Sequence, residues 1–221
     1  PDIPHPSAVG CSPTLFGEEC RQAWENYVRA LVSHYDGRVG MWEVWNEPDG
    51  RKGNTPALYA NLFVKTAKII RQIDPDAKIC AFGLMDPTSA FARRGLEEIA
   101  KADGIKYIDC MTYHAYLHIP ELIVPFVSRL RKEVDKYNPS IVLLQGEAGC
   151  PGQYKYAYAL EGYEWDEYSQ AKWELRQSLN HFGMGVPYSF FTMVAPIAVS
   201  STSKNPNFFS ALLIDSIPTP S

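Results

Sequence analysis

The stretch Val39-Gly40-Met41-Trp42-Glu43-Val44-Trp45-Asn46-Glu47-Pro48-Asp49-Gly50 decides the fold. Its apolar run, Val39 to Trp45, reads as a strand. Pro48 and Gly50 stop pairing and leave Asn46, Glu47 and Asp49 at the strand's carboxyl end. Ahead of it, Glu18 to His34 spaces Trp24, Tyr27, Val28, Leu31 and Val32 at helical intervals, and Tyr35-Asp36-Gly37-Arg38 supplies the stop. Behind it, Thr55 is placed to cap a helix with Pro56 at its first position, and Leu58, Tyr59, Leu62, Phe63, Thr66, Ile69, Ile70 and Ile73 mark one apolar face.

Moving outward, the alternation continues. Strands are expected at Lys78 to Leu84, Tyr107 to about Tyr116, Ile141 to Leu144 and Val186 to Val194, with helices at about Ala90 to Ala102, Pro120 to Tyr137 and Asp166 to Phe182. Five strands separated by helices need crossover connections, so the fold class is α/β with a parallel sheet. A single domain over residues 1–221 is expected, since no linker or repeat interrupts the pattern.

Composition narrows the partners. The 221 residues are 46% hydrophobic and 21% charged, a profile that excludes disorder, collagen and coiled coil. A net charge of −4 with no basic run longer than Arg93-Arg94 argues against nucleic acid. No apolar run approaches the roughly 20 residues of a membrane-spanning helix. Among the five cysteines, Cys80 and Cys110 read as small buried hydrophobes, a Cys11–Cys20 bridge is open, and no spacing suits a zinc site.

Two glutamates carry the chemistry. Glu47 and Glu147 each follow a strand at its carboxyl end, the edge of a parallel sheet where catalytic groups collect. Three strand steps separate them, roughly 14 Å in an open sheet at about 4.8 Å per strand. Closing the sheet into a barrel brings them to about 5 Å, the spacing at which one carboxylate serves as nucleophile and the other as acid, then base, in retaining glycoside hydrolysis. Glu43, on the same strand face as Glu47, is expected a layer deeper as a buried structural carboxylate.

Trp45-Asn46-Glu47-Pro48 resembles the acid/base motif that closes the fourth strand in clan A glycoside hydrolases, retaining enzymes on (β/α)8 barrels. Gly146-Glu147-Ala148-Gly149 resembles the clan's nucleophile segment on strand seven. Tyr113-His114-Ala115-Tyr116 resembles its His-x-Tyr element on strand six. His34-Tyr35 before the motif strand and the closing Phe209-Ser210-Ala211-Leu212-Leu213 look most like family 39, with family 5 next. The resemblance implies a glycoside hydrolase acting on plant or microbial oligosaccharides or polysaccharides, with no cofactor and no metal. Residue by residue, it makes Glu47 the acid/base, Asn46 a partner of the sugar's 2-hydroxyl and Glu147 the nucleophile, with His114 or Tyr116 on the glycone or the nucleophile. Trp45 and Asp49 beside the acid are divided between subsite wall and barrel packing. The aromatic loop Tyr154-Lys155-Tyr156-Ala157-Tyr158 with Tyr163 and Trp165 suits sugar faces or its own packing equally. His181 is expected at a helix end, where a cation is favoured.

By the same resemblance the chain holds strands four to eight of a barrel. Strands one to three, with the clan's usual strand-two arginine, would come from a segment beyond this chain or from another chain. The strand-eight tryptophan common in the clan is absent, with Phe191 nearby. A non-catalytic carbohydrate-binding or interaction protein on a degenerate barrel is the alternative. An open, doubly wound module is a third reading, and it predicts Glu47 and Glu147 well over 10 Å apart.

Overall fold

The computed structural model describes residues 13, 17–35, 37–50, 53–154 and 159–191. Among these residues five α-helices and five strands alternate: α1 (Gly17–Tyr35), β1 (Met41–Val44), α2 (Pro56–Ile73), β2 (Lys78–Leu84), α3 (Ala90–Lys101), β3 (Cys110–His114), α4 (Ile123–Asp135), β4 (Val142–Ala148), α5 (Glu167–Met184) and β5 (Tyr188–Phe190). Local chemistry sets the ends. The Thr55 hydroxyl accepts the Leu58 N–H ahead of Pro56 in α2, Asp166 and Ser169 form a reciprocal capping box on α5, and Gly185 closes α5 in the left-handed conformation at φ 65°.

All strands pair in parallel in the order β1-β2-β3-β4-β5. A doubly wound sheet reverses its strand order at a switch point; this one never does, so right-handed crossovers place the helices on one face. That face carries the core: Tyr59, Phe63 and Ile70 of α2, Ile79 and Ala81 of β2, Leu96 and Ile99 of α3, Met111 and Tyr113 of β3, Leu130 and Val134 of α4 and Leu143 of β4. The opposite face is concave. Glu43 of β1 points its Oε1 to 2.7 Å from where a Cβ on Gly83 of β2 would sit and its Oε2 to 3.5 Å from that point on Gly146 of β4. One carboxylate can reach across the neighbouring strands only if the sheet curls around it. The concave face is partly open to solvent, with Val142 51% exposed.

Several expected boundaries move. β4 runs to Ala148, so Glu147 lies within the strand and not in the turn after it. β3 stops at His114, leaving Tyr116 just beyond the ladder, and Tyr107 belongs to a short 3-10 turn (Ile105–Tyr107). Glu43 is crowded by protein at its carboxylate but exposed along its open side, not buried. His181 lies in the last turn of α5, as expected, but is fully buried, its Nε2 3.0 Å from the Tyr113 hydroxyl and its Nδ1 2.9 Å from the Gln177 carbonyl. Burial holds its imidazole below the ordinary value, so at this helix end it is a neutral core histidine and not the expected cation. Cys20, Cys80, Cys110 and Cys150 are free thiols. Cys11, residues 155–158 of the aromatic loop, the end of the last expected strand and the Phe209–Leu213 motif lie outside the described residues. No helix among those described is long and apolar enough to cross a membrane.

Candidate active site

Two bulges aim the site. In β2 the register passes from Phe82↔Thr112 to Leu84↔Tyr113, and both Phe82 (φ 81°) and Gly83 (φ 60°) take positive φ. Phe82 turns outward onto Tyr59, ring centroids 4.8 Å apart, while Gly83 faces Glu43. The Tyr59 hydroxyl bridges the interruption, donating to the Val44 carbonyl at 3.2 Å and accepting the Phe82 N–H at 2.5 Å. The freed Gly83 carbonyl accepts the Glu47 N–H at 2.9 Å. Glu47 is thus tied to β2 just past the end of β1. Trp45 (φ 71°) and Glu47 (φ 49°) occupy the left-handed region, strain of a kind that collects at functional sites.

In β4 the register passes from Tyr113↔Gln145 to His114↔Glu147. Gly146 is the extra residue, and the bulge turns Glu147 beside His114 when strict alternation would send it to the helix side. A Cβ on Gly146 would sit 3.5 Å from both Glu43 Oε2 and Thr112 Cβ, so the glycine lets three strands converge.

The result is a triangle. His114 Nδ1 lies 3.1 Å from Glu47 Oε1 and 3.9 Å from Glu147 Oε2, and one oxygen of each carboxylate and the nitrogen lie within 4.8 Å of one another. The open-sheet expectation of a separation well over 10 Å is overturned, because the curled sheet turns both side chains inward. His114 is 3% exposed, Glu47 20% and Glu147 27%: the histidine is a buried pivot and the carboxylates are open to a ligand. The Tyr116 hydroxyl donates to Glu147 Oε1 at 2.6 Å. Burial and then the adjoining Glu147 raise the Tyr116 hydroxyl well above the ordinary tyrosine value, which keeps it a donor. Glu43, beneath the pair, has its carboxyl raised by the surrounding protein, opposed by the Thr112 hydrogen bond and by His114.

The remaining expected residues separate by surroundings. Asn46 is exposed beside Glu47. Trp45 packs edge-on against Trp24 at 5.5 Å. Asp49 spends both oxygens on the Met85 and Asp86 amides, at 2.8 and 2.9 Å, as a staple between loops. Of the aromatic loop, Trp165 is buried and Tyr163 exposed; with His118 they form a cluster, Tyr163 and Trp165 4.8 Å apart. Sequence reasoning passed over Gly83 and Gly146 as site-forming residues, although a glycine inside a strand pattern is the usual mark of a bulge. It also passed over Glu174 of α5, whose carboxyl partial burial lifts from the ordinary 4.5 to about 7.

Glu47, His114 and Glu147 are also the group of three metal-capable side chains found among the described residues, one ligand atom from each lying within the 4.8 Å triangle.

No model of a known protein family matches the chain. Solved structures of similar fold include a glucosidase from Croceicoccus marinus (18% identity, TM-score 0.64, 76% of this chain and 37% of that one). A monomeric beta-xylosidase from Caulobacter crescentus CB15 aligns at 22% identity and TM-score 0.60 over 77% of this chain and 38% of the other. A family 39 glycoside hydrolase from the gut symbiont Bacteroides cellulosilyticus WH2 aligns at 19% identity and TM-score 0.59 over 79% and 37%. The chain therefore spans under two fifths of the length of these structures. At such identities the likeness is one of fold, shared with part of several glycosidase structures that include a member of family 39, the family the sequence motifs resemble.

Proposed function

We propose that the chain is the C-terminal part of a (β/α)8 catalytic barrel, β1 to β5 serving as its fourth to eighth strands in one domain over residues 1–221. Its activity is retaining O-glycosyl hydrolysis by double displacement. The observation that carries this reading is the Glu47–Glu147 pair, oxygens within 4.8 Å and His114 between them. Retaining enzymes hold their carboxyls about 5 to 5.5 Å apart; inverting enzymes leave about 6.5 to 9.5 Å for a water.

Glu147 attacks the anomeric carbon, the glycosidic C–O bond breaks, and Glu47 gives its proton to the departing oxygen. Glu47 then takes a proton from water as that water attacks the same carbon and releases Glu147. The Tyr116 hydroxyl holds one Glu147 oxygen, leaving the other for attack, and His114 fixes Glu47 by its Nδ1 contact. Asn46, exposed beside the acid, meets the sugar's 2-hydroxyl. Trp45 and Asp49 support the acid's loop from behind. The substrate is an oligosaccharide or polysaccharide of plant or microbial origin, and the chemistry uses no cofactor or metal.

A panel of aryl glycosides, led by xyloside and glucoside because similar folds include a beta-xylosidase and a glucosidase, tests the reading with the full-length natural polypeptide as wild type and its Glu147→Ala form. Turnover by the wild type, its loss in the variant, and a fluoroglycoside adduct mapped to Glu147 are expected. Equal rates in both proteins would remove Glu147 from the reaction. The partial exposure of Glu47 and Glu147 at the strand ends, 20% and 27%, also suits a second reading in which the scaffold binds carbohydrate without hydrolysing it. Glycan binding by the natural chain with no turnover of any panel member would select that alternative.

A further inference from the structure

Helix α5 grips the two segments that orient Glu147. Cys150, three residues beyond Glu147, is held at both ends of its backbone: its N–H donates to Glu174 Oε1 at 3.3 Å and its carbonyl accepts the Gln170 side-chain N–H at 2.7 Å. One turn of the same helix carries Trp173, whose indole N–H donates to the Leu117 carbonyl at 2.8 Å, directly after Tyr116. Gln170, Trp173 and Glu174 thus pin the backbone on both sides of the Tyr116–Glu147 hydrogen bond. Beneath them lies a small apolar cluster of Ala148, Cys150, Leu160, Trp165 and Trp173, with Tyr116 packed against it.

We propose that Glu174 is a positioning residue for Glu147, acting through the Cys150 amide to fix the orientation in which Tyr116 and His114 present the nucleophile. The role rests on the glycosidase reading for its consequence in turnover, not for the geometry. Glu174 Oε2 is buried without a hydrogen-bond partner among the described residues, so the carboxyl is committed through Oε1 alone. Partial burial puts its ionisation at about 7. The titratable groups facing it from neighbouring elements are Tyr116, Cys150 and Tyr188. All three are raised above their ordinary values, Cys150 to about 12, so none competes near neutrality. Ionised Glu174 makes the 3.3 Å Cys150 contact a charge-assisted one, stronger than its neutral form.

The test follows backbone amide shifts against pH in the natural chain, in Glu174→Gln and in Glu174→Ala, beside kcat and KM. In the wild type the Cys150 amide titrates with a midpoint near 7 and the Glu147 amide shares that transition; in Glu174→Gln this transition is lost from both. Glu174→Ala lowers kcat about tenfold with KM unchanged, the loss expected when one hydrogen bond of about 1.4 kcal/mol is absent in the transition state. Glu174→Gln, which retains an acceptor oxygen, restores kcat to within about threefold. A Cys150 amide that does not titrate in the wild type, or one that titrates while Glu147 stays still, overturns the proposal. The amide titration decides it even in a chain that turns over no glycoside, and Glu174→Gln decides it where Glu174→Ala fails to fold.

Discussion

Replacing Gly83 by alanine tests the geometry on which the site is built. Two costs are readable from the structure. The residue sits at φ 60°, and an L-residue with a side chain loses about 1 to 2 kcal/mol there. The added Cβ would stand 2.7 Å from Glu43 Oε1 and 3.4 Å from the Trp45 carbonyl oxygen. The backbone oxygen holds its place, so Glu43 must swing its carboxylate away and repack, about 1 kcal/mol more. The expected loss is about 2 to 3 kcal/mol, which in a chain of this size lowers Tm by about 4 to 12 °C. Urea denaturation of wild type, Gly83→Ala, Glu43→Ala and the double variant measures it. The cycle should return a coupling of about 1 kcal/mol, because removing the Glu43 carboxylate relieves the collision and leaves the backbone strain. A Gly83→Ala protein within 0.5 kcal/mol of wild type would refute the bulge geometry, and a coupling of zero would refute the Glu43 contact alone.

Tyr116→Phe removes the 2.6 Å hydrogen bond to Glu147 while keeping the ring in the cluster. If a charge-assisted bond worth about 1.5 to 3 kcal/mol is expressed in the transition state, kcat/KM on an aryl glycoside falls about 10- to 150-fold with Tm little changed; an unchanged rate would show that the bond does not orient the nucleophile. Stability should carry two opposed pH slopes. His181 is held below its ordinary 6.5 by burial, so the unfolded chain takes the proton first and stability falls as pH drops beneath 6.5. Glu174 is raised from 4.5 to about 7, so the folded chain keeps its proton longer and stability falls as pH rises across that window. Denaturation midpoints against pH check both: Glu174→Gln should lose the second slope and keep the first, and a wild-type curve identical to that of Glu174→Gln would contradict the assignment. Dialysis against EDTA should leave turnover unchanged, since the proposed mechanism uses Glu47, His114 and Glu147 as acid, pivot and nucleophile; a loss restored by added Zn2+ would refute a carboxylate-only mechanism.

The secondary structure was legible wherever the signal was local. Thr55-Pro56 and Asp166 cap helices, Gly185 ends one, and the alternating apolar runs mark strands whose number and parallel pairing follow from the intervening helices. Boundaries slipped where tertiary pairing overrides pattern. The polar tail Gln145-Gly146-Glu147 was read as a turn, yet it continues β4 because β3 and β5 flank it and satisfy its backbone. Glu43 was assigned to a buried layer because alternation gives a face, not the degree to which that face is covered.

The sequence alone determined that Glu47 and Glu147 end up on one edge of a parallel sheet, since both stand toward the carboxyl ends of strands joined by crossover helices. Their meeting was decided only in three dimensions. Residues one hundred apart in the chain approach because the sheet curls around Glu43, because bulges at Gly83 and Gly146 turn side chains that strict alternation would face elsewhere, and because His114 fills the space between them. Periodicity is a property of neighbours along the chain. Curvature, bulge register and a clamp such as α5 on Cys150 belong to contacts between distant segments, and no local pattern encodes them.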